Sequence, residues 1–255
     1  MTLVLTALEG IPLVQEGDDL AGIILDSADQ QGLQIEDGDI FVIAQKVVSK
    51  SEGRMVDLKS VRPTPRAGEI AAETGKDARF IELVLQESNE VLRTRPGTII
   101  VEHKLGFVCA NAGIDHSNVR GDMEGGDEWF LLLPKDPDGS AGKIRDSIAK
   151  RTGRKTGVLI IDSHGRAWRL GTVGMAIGVA GFPGLVDLRG TADLFGYTLQ
   201  VTTVAVADEL AAAASLIMGQ AGEGRPIVHV RGFPYGLREG SVKELFRPKE
   251  MDMFR

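Results

Sequence analysis

The run Asn111-Ala112-Gly113-Ile114-Asp115-His116-Ser117-Asn118 places a carboxylate and two amide side chains directly after an apolar segment that reads as a strand. Oxygen donors leaving a rigid strand end suit a hard divalent cation such as magnesium or manganese. The same residues also suit an Asx-turn in which Asp115 and Asn118 bond their own backbone. A second acidic residue stands in Ile160-Ile161-Asp162-Ser163-His164-Gly165-Arg166, where a hydrophobic strand is expected to terminate. If the two strands are neighbours, Asp115 and Asp162 can share one metal, with Ser163 adding a hydroxyl oxygen. Ser163 and His164 do not suggest a hydrolase triad, because consecutive strand residues point to opposite faces and no G-x-S-x-G surrounds the serine.

Three other segments carry candidate chemistry. In Leu133-Pro134-Lys135-Asp136-Pro137-Asp138-Gly139-Ser140, acidic and turn-forming residues precede a helix. That helix start either attracts an anion or is already occupied by Asp136 and Asp138 as caps. Lys46 and Lys50 stand near the end of an apolar run, either reaching phosphates as point charges or lying solvated. The run Met218-Gly219-Gln220-Ala221-Gly222-Glu223-Gly224-Arg225-Pro226 follows a helical pattern. Its backbone amides suit phosphate, and Gln220 or Glu223 offers a metal oxygen; a plain helix-to-strand connector is the alternative. No G-x-x-x-x-G-K-[ST] and no G-x-G-x-x-G occurs, which sets aside P-loop and Rossmann readings. His103, His116 and His229 lack the spacing of a zinc site. The one cysteine, Cys109, sits in an apolar run and is expected to be an inert core thiol, with Trp129 and Trp168 as packing residues.

The elements that must hold these residues follow from periodicity. Leu3-Val4-Leu5 suggests a first strand, and Asp18 followed by Leu20, Ile23, Ile24 and Ala28 a capped helix ending near Gly32. Residues 40–48 read as a buried strand. Thr64-Pro65 and Gly75 bracket a second helix, and Phe80, Leu83, Val84 and Glu87 trace a third. Strands are expected at 98–101, 106–110, 130–133 and 157–161, with Ser140 as a candidate cap for a helix to about Thr152. Alternation at 198–207 predicts another strand, the alanine-rich 208–218 a helix stopped by Gly219, and 227–230 a last strand. Beyond Phe233 charge rises and periodicity fades, so residues 1–237 are expected as one catalytic domain and 238–255 as a peripheral tail with a short helix at most. The irregular mixture predicts an α+β fold of mixed, largely antiparallel sheets with peripheral helices and two intergrown subdomains.

Composition narrows the function. A chain of 255 residues with 43% hydrophobic and 25% charged content is globular. A net charge of -7 without a basic stripe argues against nucleic acid as a partner. The first residues lack a basic n-region, and the uncharged stretch 170–186 is short and broken by glycines and Pro183, so no signal peptide and no membrane span is expected. The expected location is the cytoplasm.

Taken together and in order, the three motifs around Asp115, Asp136 and Asp162 resemble the coenzyme F420-0:L-glutamate ligase family. Gly174-Met-Ala-Ile-Gly178, Gly190-Thr-Ala-Asp-Leu-Phe-Gly196 and Ala207-Asp-Glu-Leu210 extend the resemblance, as do Gly10-Ile-Pro-Leu-Val14 and Val48-Ser-Lys-Ser-Glu-Gly53. The resemblance spans roughly residues 3 to 232 and implies a homodimeric, GDP-forming ligase of unusual α+β fold. It implies GTP, the deazaflavin precursor F420-0 and L-glutamate as substrates, with two divalent cations, manganese or magnesium, and potassium as a further candidate ion. By motif, Asp115 and Asp162 would hold one metal and Ser163 and Gln220 the second, with Lys46 joining the two aspartates in catalysis. Nucleotide contacts would fall on Ile11, Pro12, Leu13, Val14, Gln45, Lys46, Lys50 and Asn118. The loop residues Met218, Gly219, Gln220, Ala221, Gly222, Glu223, Gly224 and Arg225 complete that set. Two positions depart from the family pattern: Ser163 stands where threonine is common, and Gln220 where glutamate is common, which implies weaker binding of the second metal. The chain ends at Arg255 without the flavin-binding domain fused in some relatives, so a stand-alone ligase is expected. The competing readings are a two-metal phosphohydrolase and a non-catalytic deazaflavin or nucleotide carrier.

Overall fold

The computed structural model describes residues 2–116 and 128–253. The chain opens with strand β1 (Val4–Ala7), helix α1 (Leu20–Gln30), β2 (Ile40–Ala44), α2 (Gln45–Ser51) and β3 (Met55–Asp57). Helices α3 (Pro65–Thr74) and α4 (Ala78–Gln86) precede the meander of β4 (Ser88–Arg95), β5 (Thr98–His103) and β6 (Val108–Ala110). Then come β7 (Trp129–Leu131), α5 (Pro137–Thr152) and the long hairpin of β8 (Gly157–Arg166) and β9 (Arg169–Ala180). The short β10 (Val186–Asp187) and β11 (Thr203–Val204), helix α6 (Val206–Met218) and β12 (Ile227–Arg231) complete the regular elements.

The main sheet has the order β1-β12-β2-β8-β9 and is antiparallel throughout except for the parallel β2–β8 pair. Phe41, Ile43, Val158 and Ile160 face α1, α2 and α5, meeting Leu20, Ile24, Val48, Ile144 and Ile148. Ile40, Val42, Leu159 and Ile161 face the other way, onto Leu210, Ala211 and Ala214 of α6. Burial of both faces explains why these central strands are continuous apolar runs and not alternating ones. A second core lies under the antiparallel β4-β5-β6 sheet, where Ile99, Val101 and Cys109 pack with Ala67, Phe80, Ile81 and Val84 of α3 and α4. The α+β class with largely antiparallel sheets and peripheral helices is therefore observed. Among the described residues no helix is long and apolar enough to cross a membrane.

Local signals account for several boundaries. Thr64 accepts the N–H of Ala67, Pro65 takes the first helical position of α3, and Gly75 ends it at φ 70°. Elsewhere the structure corrects the expectation. The apolar run 40–48 is a strand only to Ala44; Gln45 starts α2, and Val48 is buried from a helix. The main sheet turns Asp162 into a mid-strand residue, since β8 continues to Arg166 against β9. Of residues 198–207 only Thr203 and Val204 are strand, because their partner β10 is itself two residues long. Strand β4 lacks clean alternation, being broken by two register shifts, and periodicity does not reveal it. Asp18 accepts the N–H of Gln15 and does not cap α1, and α5 is capped by Asp136 through the Gly139 N–H at 3.1 Å, with Ser140 inside the helix bonded to Glu52.

Two close approaches set the position of the helices. A Cβ on Gly174 would lie 2.4 Å from the carbonyl oxygen of Ala211, and one on Gly178 would lie 2.6 Å from the backbone of Pro137. The bare backbone of β9 is what lets α6 and the start of α5 close on it from opposite sides. Residues 238–253 pack along the molecule: Val242 joins the core beneath α6, Phe246 meets Phe107, and Lys249 pairs with Glu102 at 2.7 Å.

At the edge of the sheet where β2 begins, Asp39 is fully buried and accepts hydrogen bonds from Arg231 Nε (2.9 Å) and Nη2 (2.8 Å), with His229 Nε2 at 2.9 Å. Burial works to raise its pKa, but Arg231 and His229 together hold it well below the usual carboxylate range. Replacing Asp39 with Ala strands the Arg231 guanidinium beside β12, and urea unfolding should show a loss of about 3 kcal/mol.

Candidate active site

The candidate residues gather at one edge of the main sheet. β2 ends at Ala44, whose N–H donates to the Pro226 carbonyl at 2.8 Å, and the last parallel pair is Ala44 with Ile161. Asp162 and Ser163 therefore project just beyond the carboxyl end of β2, where α2 begins. The segment after β1 arrives at the same edge: Leu8 N–H donates to Ile227 at 2.9 Å, and Glu9 pairs with Arg225 at 3.0 Å. Ile11, Pro12, Leu13 and Val14 thus follow one strand of this edge, and the loop carrying Gln220 precedes another.

Asp115 comes from the other subdomain. After β6 the chain passes through Asn111 (φ 53°), Ala112 (φ 53°) and Gly113 (φ 62°), three successive left-handed residues. Such a conformation costs about 1–2 kcal/mol per non-glycine residue, and strain of this kind concentrates at functional sites. The turn delivers Asp115 to Leu131, with which it exchanges two backbone hydrogen bonds of 3.0 and 2.9 Å. Its Oδ2 accepts from Gln45 Nε2 at 2.6 Å and lies 3.5 Å from Lys46 Nζ. Burial, and after it the charge of Asp162, push the Asp115 carboxyl up to about 6 despite Lys46 and Gln45. Lys50, one helical turn beyond Lys46, has its pKa lowered by burial and then by the Lys46 charge.

On β8 the side chains alternate. Asp162 and His164 share one face; His164 is 7% exposed, packs against the Phe107 ring at 5.3 Å, and holds Nε2 2.9 Å from Asp162 Oδ2 but off the direction of a good hydrogen bond. Ser163 faces the other way, and its hydroxyl donates to Gln220 Oε1 at 2.8 Å. This separation disposes of a Ser-His dyad. Cys109 lies close enough to feel Asp162, and burial followed by that charge pushes its thiol up to about 12, leaving it protonated and inert.

Two pairs expected from the sequence are thus brought together: Asp115 with Asp162, and Ser163 with Gln220. Asn118 lies outside the described residues. Gln45 is buried with its amide engaged by Asp115 and by the hydroxyl of Ser49 at 2.9 Å. Ser49 and Ser215, which accepts from Gln220 Nε2 at 3.1 Å, are partners that sequence reading missed. The i,i+4 spacing of Gln45 and Ser49 is a usable signal only once the segment is known to be helical. Within the loop, Glu223 accepts the N–H of Ala221 at 2.7 Å, so one of the glycine-rich amides is already capped. Asp138 is committed to structure, accepting from Val179 N–H at 2.7 Å and Ser241 Oγ at 2.6 Å.

The donor chemistry suits a hard cation. Among the described residues no three His, Cys, Asp or Glu side chains form a metal cage. What the site offers is two mutually repelling carboxylates and, beside them, a hydroxyl and an amide oxygen. Oxygen-only sets of this kind match magnesium or manganese, which keep several non-protein ligands, and not zinc.

Because the folded pKa of Asp115 lies above that of an unfolded Asp, its ionised form costs the fold stability at neutral pH and costs nothing below about pH 4. Asp115→Asn in chelator should therefore be more stable than wild type by about 1–3 kcal/mol at pH 7. The gain should fade as the pH falls through 6 towards 4, as read by denaturant unfolding. No gain in stability at pH 7 would mean that Gln45 and Lys46 fully compensate the charge.

Residues 10–232 match the family model described as F420-0:Gamma-glutamyl ligase. The chain is 50% identical over 257 residues to the Coenzyme F420:L-glutamate ligase of Methanothermobacter thermautotrophicus, covering 100% of both chains. It is 48% identical to the protein of that name from Archaeoglobus fulgidus, covering 97% of this chain and 94% of the relative. With that of Methanocaldococcus jannaschii the identity is 47%, over 87% of this chain and 86% of the relative. With the match running through both subdomains and through every strand end that lines the site, the chain belongs to the F420-0:Gamma-glutamyl ligase family.

Proposed function

We propose that this protein joins L-glutamate to F420-0, the deazaflavin precursor of coenzyme F420, at the expense of GTP and through an acyl phosphate. The observation that carries the reading is the meeting of Asp115 and Asp162, from different subdomains, beside Lys46 at the carboxyl edge of the sheet. The names of relatives matched over nearly their whole length supply the substrate class.

A carboxylate resists attack by an amine because it is anionic and oxide is a poor leaving group. Transfer of the terminal phosphoryl group of GTP to a precursor carboxylate oxygen breaks the β–γ phosphoanhydride bond and releases GDP. The glutamate amine then attacks the acyl carbon, forming the amide, expelling phosphate and losing a proton. Asp115 and Asp162 would hold one divalent cation, and Ser163 and Gln220 a second. Bound there, the cations supply charge neutralisation to phosphate oxygens. Lys46 and Lys50 lie on one face of α2 and orient the phosphates. Pro12, with Gly10, Ile23, Asp26, Ser27 and Gln30, lines a cleft of about 250 Å³; Ile11, Pro12, Leu13 and Val14 would contact the nucleotide. Leu194, Phe195 and Val201 are more than four-fifths exposed in the β10–β11 connection. An apolar cluster of that kind supports assembly with a second copy.

The direct test is an endpoint assay with purified protein, F420-0, L-glutamate, GTP and manganese, read by mass spectrometry. The expected product gains glutamyl units only when GTP and glutamate are both present, and Asp162→Ala loses at least 100-fold in rate, an order-of-magnitude figure for removal of a metal ligand. GDP and phosphate without a glutamyl product would identify a phosphohydrolase instead. In light scattering the protein should run at twice its chain mass, and Phe195→Asp should shift it to monomer.

A further inference from the structure

Two glutamines flank the candidate site, and each is held by a serine, but with opposite polarity. Ser49 Oγ donates to Gln45 Oε1, which turns the amide N–H of Gln45 towards Asp115. At the other side Ser215 Oγ accepts from Gln220 Nε2 at 3.1 Å, which leaves Oε1 of Gln220 facing Ser163 Oγ at 2.8 Å. An amide end is a donor on one side and an acceptor on the other, and a half-turn exchanges them. Only one of those two orientations offers a lone pair to a cation. A carboxylate at this position would need no such control, because both its oxygens accept.

The backbone around Gln220 does little to choose between them. Gln220 lies beyond the end of α6, after Gly219 at φ 76°, and a side chain with three free torsions loses about 1–2 kcal/mol of rotamer entropy when fixed. Ser215, by contrast, is firmly placed. It is 9% exposed on α6, and a Cβ on Gly174 would come within 2.6 Å of its own Cβ. Gly174 is the register partner of Ser163 across the β8–β9 hairpin. The missing side chain at Gly174 therefore seats Ser215 against the strand pair that carries Ser163, within reach of the Gln220 amide.

We propose that Ser215 is a positioning residue for the second cation: by accepting the Gln220 N–H it fixes the amide so that oxygen, not nitrogen, faces the cation beside Ser163. This rests on the two-cation reading above and concerns only how this chain manages with a neutral side chain at position 220. Ser215 itself touches neither cation nor substrate.

The test is a manganese titration of the full chain with GDP present, followed by the electron paramagnetic resonance signal of free Mn2+, on wild type, Ser215→Ala, Gln220→Glu and the double variant. Wild type should show two classes of site. Ser215→Ala should weaken the weaker class on the order of 10-fold, as loss of a ligand's outer hydrogen-bond partner does, and leave the tighter class unchanged. In the Gln220→Glu background the same Ser215→Ala change should have no effect, a cancellation that a mere packing defect in α6 would not produce. Unchanged affinity in Ser215→Ala, or equal weakening in both backgrounds, would overturn the proposal. A wild type that binds a single manganese would overturn it while leaving the Asp115–Asp162 site standing, and one that binds none would overturn the metal reading as well.

Discussion

Two carboxylates that repel each other are held at the meeting point of two hydrophobic cores, and much of the molecule is organised around that unfavourable contact. Asp115 is buried enough, and near enough to Asp162, for its pKa to rise to about 6. Lys46, paired with it at 3.5 Å, and the neutral N–H of Gln45 offset this only in part. The stabilisation that tolerates the contact comes from elsewhere, from a main sheet covered on both faces and a second sheet with its own helices. Two carboxylates with a hydroxyl and an amide oxygen beside them are a donor set that suits a hard cation.

The topology explains why these residues can meet. Among the described residues β2 and β8 form the only parallel pair of the main sheet, and β2 stops one residue before Asp162 in register. The gap left by β2 is filled by the start of α2, which supplies Gln45 and Lys46. The same edge receives the segments after β1 and before β12, so four chain segments far apart in sequence meet at one end of the sheet. The second subdomain adds Asp115 through a strained left-handed turn, and residues 238–253 lie against both cores, with Val242 in one and Phe246 on Phe107 beside the other. Close backbone contacts at Gly174 and Gly178 hold α6 and α5 onto β9, which fixes the distance between Ser163 and the loop that follows α6.

Much of this was legible in the residues themselves. The Thr64-Pro65 start and Gly75 stop of α3, the amphipathic period of α4 and the alanine-rich α6 are local signals, and local signals survive folding unchanged. Where the reading went astray, the cause was nonlocal. Residues 40–48 are apolar on both sides of Gln45 and Lys46, and so short a run has no period to reveal that burial switches from sheet to helix at Gln45. Asp162 looked like a strand end because hydrophobicity stops there, yet its hairpin partner β9 carries the strand on to Arg166. Residues 198–207 alternate but face a partner only two residues long, so only Thr203 and Val204 are strand, and the chain has entered α6 by Val206.

The sequence by itself determined which oxygens are available: Asp115, Asp162, Ser163 and Gln220 are chemical facts of the chain, as are the absence of a zinc spacing and of a P-loop. It also determined the class of fold, because mixed periodicities and short glycine-punctuated runs permit little else. Only the tertiary structure decided that Asp115 and Asp162 share a charge environment, that Ser163 and His164 part company, and that Ser49 and Ser215 set two glutamine amides in opposite senses. The reason is physical. Donor type is written in each residue, but pKa and amide orientation depend on which neighbours exclude water and which partners stand within hydrogen-bond reach, and those neighbours come from parts of the chain as distant as Gln45 and Asp115.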